Sequence, residues 1–282
     1  MKVQQPTQIM GILNVTPDSF SDGGRYTTVD AAVTHAVAMI EQGASIVDVG
    51  GESTRPGAAA VDAKTERKRI VPVVRELVAR GIPVSIDTRR ARVALAAVEA
   101  GAQLINDVSG GLSDPEMARV VAETGVLYAV MHWREGGADA TPDYRNVVSE
   151  VRRELKGRIA HLIVEGVKPE QIIVDPGIGF GKTPEQNWQL LGHLPQIASL
   201  GHGVLVGASR KRFLGALLPD IHAVAAVGDT RTDTDISQRD APTAVISALA
   251  ARSGAWAVRV HDVASSRLAL DVAEHWRIGA AT

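Results

Sequence analysis

Eight short apolar runs, each followed by a longer stretch of helical period, recur along the chain and restrict it to a parallel α/β architecture. The runs are residues 9–15, 45–49, 83–87, 103–107, 126–131, 171–175, 203–208 and 256–261. Most are rich in β-branched residues and bounded by Gly, Pro, Asn or Asp, as strands buried on both faces are. Between them, residues 29–42, 91–100, 147–164 and 243–252 carry Ala, Val and Leu at helical spacing. Ser113 with Glu116 three residues on reads as a capping box opening a further helix, and Gly43 and Gly101 read as helix stops. Alternation alone admits a closed barrel or an open doubly wound sheet. The runs return every ~35 residues, close to ~250 residues shared among eight units. No linker, low-complexity tract or charge run divides the 282 residues. The expected fold is therefore α/β, a (β/α)8 TIM barrel, with residues 1–282 as a single domain. The irregular stretch 219–239, rich in Asp and Thr, reads as a surface loop without catalytic consequence.

Composition narrows the function classes. Aromatic residues are only 4% of a chain that is 45% hydrophobic, so Val, Ile, Leu and Ala must build the core. A net charge of −2 is too balanced to steer nucleic acid or a membrane surface. The absence of cysteine excludes disulfides and thiolate metal sites. Residues 1–7 lack the plan of a secretory signal, and no apolar run approaches the roughly 20 residues that span a bilayer. A soluble cytoplasmic protein is expected.

The runs share a chemical asymmetry. Asn14 closes the first, Asp48 and Glu52 the second, Asp87 the third, and Asn106 with Asp107 the fourth. His132 follows the fifth, Asp175 ends the sixth, Ser209, Arg210 and Lys211 follow the seventh, and Arg259 with His261 finishes the eighth. A lone Asp or Asn at such a place is usually a cap or turn former. Eight strands in succession are better explained by a catalytic funnel at the carboxyl ends of barrel strands. Gly-rich loops follow the first, second and sixth runs, and two of the three phenylalanines, Phe20 and Phe180, lie in them. Aromatic rings there form a wall for a flat substrate.

The charges point to a bipartite ligand. Asp22, Asp87, Asp175 and Asn106 suit a heterocycle rich in N–H donors. Arg55, Lys211, Arg259 and His261 suit an anion, Arg a forked phosphate above all. The alternation Arg259-Val260-His261 puts both basic residues on one strand face. A diphosphate would bring Mg2+, for which Asn14 is a hard neutral ligand; an Asx-type turn before Pro17 explains the same residue equally well.

Seven blocks, in order over about residues 8 to 275, resemble the dihydropteroate synthase family of pterin-binding TIM barrels. They are MGILNVTPDSFSDGG at 10–24, DVGGESTRPG at 48–57, SIDT at 85–88, Asn106-Asp107, DPGIGFGK at 175–182, GASRK at 207–211 and RVHD at 259–262. The resemblance implies Mg2+-dependent condensation of 6-hydroxymethyl-7,8-dihydropterin diphosphate with 4-aminobenzoate. The products would be 7,8-dihydropteroate and diphosphate, in folate biosynthesis, by an enzyme open to sulfonamide mimics. It implies that Asp87, Asn106, Asp175 and Lys211 bind the pterin. Asn14, Arg259 and His261 would hold the diphosphate, Asn14 through Mg2+. Phe20, Thr54, Arg55, Pro56, Phe180 and Ser209 would form the aminobenzoate pocket, with Asp22, Asp87, Asp175 and Lys211 serving catalysis. It also implies a homodimer with small-molecule substrates and no nucleic-acid or membrane partner. A non-catalytic pterin-binding paralogue and a corrinoid-type pterin methyltransferase module are the alternatives. Residues 133–146 and 219–239 match no block.

Overall fold

The computed structural model describes residues 6–16, 28–52, 61–134, 143–218 and 236–280. Its strands are β1 (Gln8–Asn14), β2 (Ile46–Gly50), β3 (Val84–Asp87), β4 (Leu104–Asp107), β5 (Leu127–Met131), β6 (Ile172–Asp175), β7 (Gly203–Val206) and β8 (Ala257–Val260). All are parallel and pair in chain order, and β1 joins β8 to close the barrel. The sequence-predicted runs are these strands to within a residue or two, and closure settles the choice against an open sheet.

Outside the barrel lie α1 (Thr28–Glu41), α2 (Ala63–Ala79), α3 (Ala91–Glu99), α4 (Met117–Thr124), α5 (Val147–Val164), α6 (Pro184–Gly192), α7 (Leu194–Ala198), α8 (Arg212–Gly215), α9 (Asp240–Arg252) and α10 (Val263–Gly279). No helix among the described residues is long and apolar enough to cross a membrane.

The period of two along each strand sorts side chains into two shells. Outward residues such as Ile9, Leu13, Val47, Val49, Val84 and Ile86 pack against Val33, Ala36, Ile70 and Leu77 of the helices. Each fully buried Leu- or Ile-sized side chain there contributes about 1.5–3 kcal/mol. Inward residues Met10, Ile46, Leu104, Ala129, Ile173, Leu205 and Ala257, from seven of the strands, form a separate apolar cluster inside the barrel. Two positions further along the same strands stand Ile12, Asp48, Asn106, Met131, Asp175 and Arg259. The apolar cluster thus plugs the lower barrel and becomes the floor on which polar residues of the upper barrel stand.

Two local expectations need correction. Ser113 and Glu116 do not form a capping box: α4 has Glu116 at its N-cap with no side-chain cap bond. Asp114 does the work instead. Its Oδ1 accepts the Glu116 N–H at 3.1 Å, and its Oδ2 accepts the Ala91 N–H at 2.8 Å where α3 begins. One carboxylate serves two helices, which a spacing rule within one helix does not reveal. A capping box does open α6, where Thr183 and Gln186 exchange bonds around Pro184. The second correction concerns the stretch 219–239. Its last residues form a 3-10 turn, Ile236–Arg239, leading into α9, and this turn borders the funnel. Residues 236–239 are therefore not remote from the chemistry, while 219–235 lie outside the described residues.

Gly101 ends α3 as expected, with φ +108, and a Cβ there would sit 2.7 Å from Val78 Cγ1 on α2. Gly125 ends α4 at φ +71 with nothing within 4 Å. Gly125→Ala should therefore cost about 1–2 kcal/mol, the left-handed backbone penalty alone. Gly101→Ala should cost roughly 3 kcal/mol or more, because overpacking against α2 adds to a worse backbone angle. Urea unfolding of the two variants checks the order; equal losses would count against the α2–α3 contact as the source.

Candidate active site

A cavity of about 700 Å³ opens at the carboxyl ends of the strands. Every described residue to which the family resemblance gives a binding or catalytic role lines it. Asn14 comes from β1, Asp87 from β3, Asn106 from β4 and Asp175 from β6. Phe180 follows β6, Ser209 and Lys211 follow β7, and Arg259 with His261 comes from β8 and its end. Phe20, Asp22, Thr54, Arg55 and Pro56 lie outside the described residues.

The charges interleave rather than separating into acidic and basic sides. The Arg259 guanidinium reaches inward, its Nε bonded to Asp48 Oδ2 at 2.6 Å and its Nη2 to Asp87 Oδ2 at 2.7 Å. Asp48 Oδ2 also accepts Asn106 Nδ2–H at 3.0 Å, which turns that amide so that its Oδ1 is left without a donor among the described residues. The physical reason is desolvation. Like charges grouped in a cavity of low dielectric would each go unpaired, whereas alternation lets each buried charge meet its opposite.

Burial dominates the acidities. Asp87 is pushed up to about 7 by desolvation, opposed by Arg259 and aided by the negative charge of Asp48. Asp175 is pushed up to about 6, again by desolvation, with the Gly177 N–H and then Lys211 pulling the other way. Lys211 is pushed down to about 8 by desolvation and by Arg259. Its Nζ stands 3.9 Å from the centroid of the Phe180 ring. The aromatic residue singled out as a substrate wall therefore also seats the cation.

At the β7–β8 edge, Ser209 Oγ accepts the His261 backbone N–H at 3.1 Å and lies 2.9 Å from Nδ1. A hydroxyl that donates to Nδ1 goes with the tautomer carrying its hydrogen on Nε2. Arg210 also borders the cavity, but its side chain leads to α9. Its φ of 58 swings it away from Lys211, and its Nε and Nη2 clasp Asp240 at 2.7 Å each. The left-handed residue is what lets two consecutive basic side chains part.

No group of three or more His, Cys, Asp or Glu among the described residues is arranged to hold a metal. Asn14 Oδ1 has no protein donor among them. It lies 3.5 Å, and Asp87 Oδ2 3.8 Å, from the point a Cβ on Gly50 would occupy. One neutral oxygen at the rim fits a magnesium ion that keeps most of its waters and takes other ligands from a phosphate.

Several strand-end groups are supports, not cavity groups. Asp107 accepts from Ser109 N and Oγ, Gly111 N and Tyr128 Oη. His132 is fully buried, and Glu52 pairs with Arg90. Conversely, Arg239, Ile236, Asn187 and Lys182 border the cavity without having been singled out as site residues. Arg239 donates to the Arg210 carbonyl at 3.1 Å. No periodic signal in the 219–239 stretch marks it. Asp48 was legible as a strand end, but its role as the shared acceptor for Arg259 and Asn106 was not.

A closed barrel with donors and acceptors gathered over an apolar floor defines an enzyme for a small ligand having a donor-rich ring and an anionic arm. Residues 10–261 match the profile described as "Pterin binding enzyme". A dihydropteroate synthase of Mycobacterium leprae (strain TN) is 53% identical over 96% of this chain and 94% of its own length. Among solved structures, Xanthomonas albilineans dihydropteroate synthase with 4-aminobenzoic acid is 43% identical. It covers 97% of this chain and 94% of that one, with a TM-score of 0.86. The same enzyme in complex with 7,8-dihydropteroate is 41% identical over 97% of this chain and 95% of that one, with a TM-score of 0.83. The chain belongs to the pterin binding enzymes, in their dihydropteroate synthase branch.

The raised pKa of Asp175 fixes a sign. A carboxyl whose folded pKa exceeds its unfolded value contributes stability below the unfolded pKa and loses it as pH rises through the folded one. Asp175→Asn removes that loss while either amide or carboxylate oxygen can take the Gly177 N–H. The Tm of the variant minus that of the parent should therefore rise from about pH 4 to about pH 6 and level off above that. A difference flat across that range would refute the buried-acid account.

Proposed function

We propose that the chain runs its branch's reaction with the cavity residues divided between a ring site and an anion site. The enzyme condenses 6-hydroxymethyl-7,8-dihydropterin diphosphate with 4-aminobenzoate, giving 7,8-dihydropteroate and diphosphate in folate biosynthesis. The observation that carries the residue assignment is the meeting of Asp87, Asn106, Asp175, Lys211, Arg259 and His261 in one cavity.

Asp87 and Asp175 offer acceptors to the ring N–H groups, Asn106 offers its unpaired Oδ1, and Lys211 donates to a ring acceptor. Diphosphate is held at the β7–β8 edge by His261 Nε2–H and by Arg259, whose Nη1 makes no bond among the described residues. Asn14 would hold Mg2+, which when bound would supply charge neutralisation at the departing phosphate. As the carbon–oxygen bond to diphosphate breaks, positive charge spreads from the methylene into the ring, and the carboxylates of Asp87 and Asp175 stabilise it. The aniline nitrogen of aminobenzoate forms the new bond to that carbon and gives up a proton. Phe180 and Ser209 border the space open to the second substrate, and Phe20, Asp22, Thr54, Arg55 and Pro56 complete it on this reading.

A homodimer and a cytoplasmic location belong to the same reading. Packed α9 and α10 expose Val245 and Leu249, and Leu268, Val272 and Trp276, all more than half exposed and spaced four residues apart. An apolar stripe of that kind on two adjacent helices supports a subunit interface.

Purified protein with Mg2+, the dihydropterin diphosphate and labelled aminobenzoate should form labelled dihydropteroate. Lys211→Ala should lower kcat/KM by roughly 100-fold or more, as loss of a transition-state donor does. Its Tm should hold or rise, because burial makes that ammonium costly to charge. Full activity of Lys211→Ala would remove it from the ring site. For the interface, Val272→Glu with Trp276→Glu should sediment as a folded monomer; an unchanged dimer would place the contact elsewhere.

A further inference from the structure

The turn after β6, residues 176–181, lies between two lysines. Lys211 crosses one side of it: a Cβ on Gly179 would sit 2.7 Å from Lys211 Cδ, and the Phe180 ring carries the Lys211 ammonium. Lys182 takes the other side. Its Nζ donates to the Gly177 carbonyl at 2.9 Å and to the Phe180 carbonyl at 3.0 Å, and lies 3.2 Å from His132 Nδ1. All three acceptors are neutral, so no directly bonded carboxylate cancels the charge.

His132 is fitted to that acceptor role. Its Nε2 faces Glu154 Oε2 at 2.9 Å, and Arg134 holds the other Glu154 oxygen at 2.6 Å. The carboxylate takes the Nε2 proton, which leaves Nδ1 with a lone pair for Lys182. Burial pushes the imidazole down to about 4, so it stays neutral across the working range. Asp175 grips the same turn from the cavity side, because its Oδ1 accepts the Gly177 N–H at 2.7 Å. Residue 177 is thus held by its N–H from Asp175 and by its C=O from Lys182. A Cβ at 177 would meet the His132 carbonyl oxygen at 2.2 Å, which shows how closely the turn is drawn onto His132.

We propose that Lys182 is a positioning residue for the ring site: it fixes the turn bearing Gly177 and Phe180 against His132 and sets a positive charge, hydrogen-bonded only to neutral acceptors among the described residues, behind Asp175. The functional part rests on reading the cavity as the pterin site. Lys211, Lys182 and Arg259 are the cations that act on Asp175, from the β7, β6 and β8 ends respectively. Arg134 and Arg158 repel the Lys182 charge, while Asp175 and Glu154 favour it. Burial leaves Lys182 at about 7, so it is charged where Asp175 titrates near 6.

The test reads Asp175 directly. In protein labelled with 13C at aspartate carboxyls, the Asp175 signal is assigned by its loss in Asp175→Asn, and its midpoint is followed against pH without ligand. Lys182→Met should raise that midpoint by about half a unit or more, the scale on which removing a nearby charge acts. Lys182→Gln should raise it as well, while restoring donors to the two carbonyls. Affinity for 6-hydroxymethylpterin at pH 7, followed by its fluorescence, should fall in Lys182→Met and partly recover in Lys182→Gln. An unmoved midpoint in both variants overturns the proposal, and so does loss of folding in both, which would make Lys182 a stability residue only. A midpoint that moves with no change in pterin affinity supports the electrostatic link and instead counts against the pterin site.

Discussion

The Arg259 guanidinium, held between Asp48 and Asp87, is the interaction on which the upper barrel depends. It stands directly above the apolar floor, on the strand that closes the barrel against β1. Asp48, fully buried, has an Oδ1 with no partner among the described residues, where Arg259 and the Asn106 amide compensate its charge. Removing Arg259 would leave an uncompensated charge in the barrel and release the Asn106 amide from its orientation. The same pair is why Asp87 can face a ligand without being cancelled: Arg259 offsets only part of the desolvation that raises it.

Above this pair, the turns that wall the site are held by long cationic side chains. Lys211 and Lys182 pin the β6 turn from opposite sides, Arg210 turns away to clasp Asp240, and Arg239 reaches in from the end of the 219–239 stretch to the Arg210 carbonyl. The cavity wall therefore draws on elements far apart in the chain, each tied down by a cation bonded to backbone carbonyls or to a carboxylate.

What the sequence made legible was local. Short apolar runs, most of them rich in β-branched residues, marked all eight strands, and the polar residues at the run ends named most of the cavity's polar lining. Those signals sit within a few residues of one another, as do the blocks that carried the family resemblance. Partnerships across the closed barrel were not legible. Asp48 and Arg259 are 211 residues apart and meet only because β2 and β8 flank β1. His132 and Asp107 looked like site groups because residue type and strand-end position do not say whether a side chain enters the cavity or turns beneath it. Asp114 displaced Ser113 as the α4 cap for a related reason: its second oxygen is claimed by α3. The Ile236–Arg239 turn borders the funnel although its stretch carries no periodic pattern.

Burial at the funnel has a calorimetric consequence. The empty cavity holds Asp87, Asp175 and Lys211 at about 7, 6 and 8, so at neutral pH its proton inventory is only partly committed. A ligand that supplies hydrogen-bond donors to the carboxyls and an acceptor to the ammonium moves each of these equilibria. Binding is then a proton exchange with the solvent as well as a contact between surfaces. The heat of association accordingly contains the ionisation enthalpy of the buffer, and the intrinsic enthalpy emerges only after extrapolation across buffers of different ionisation heat.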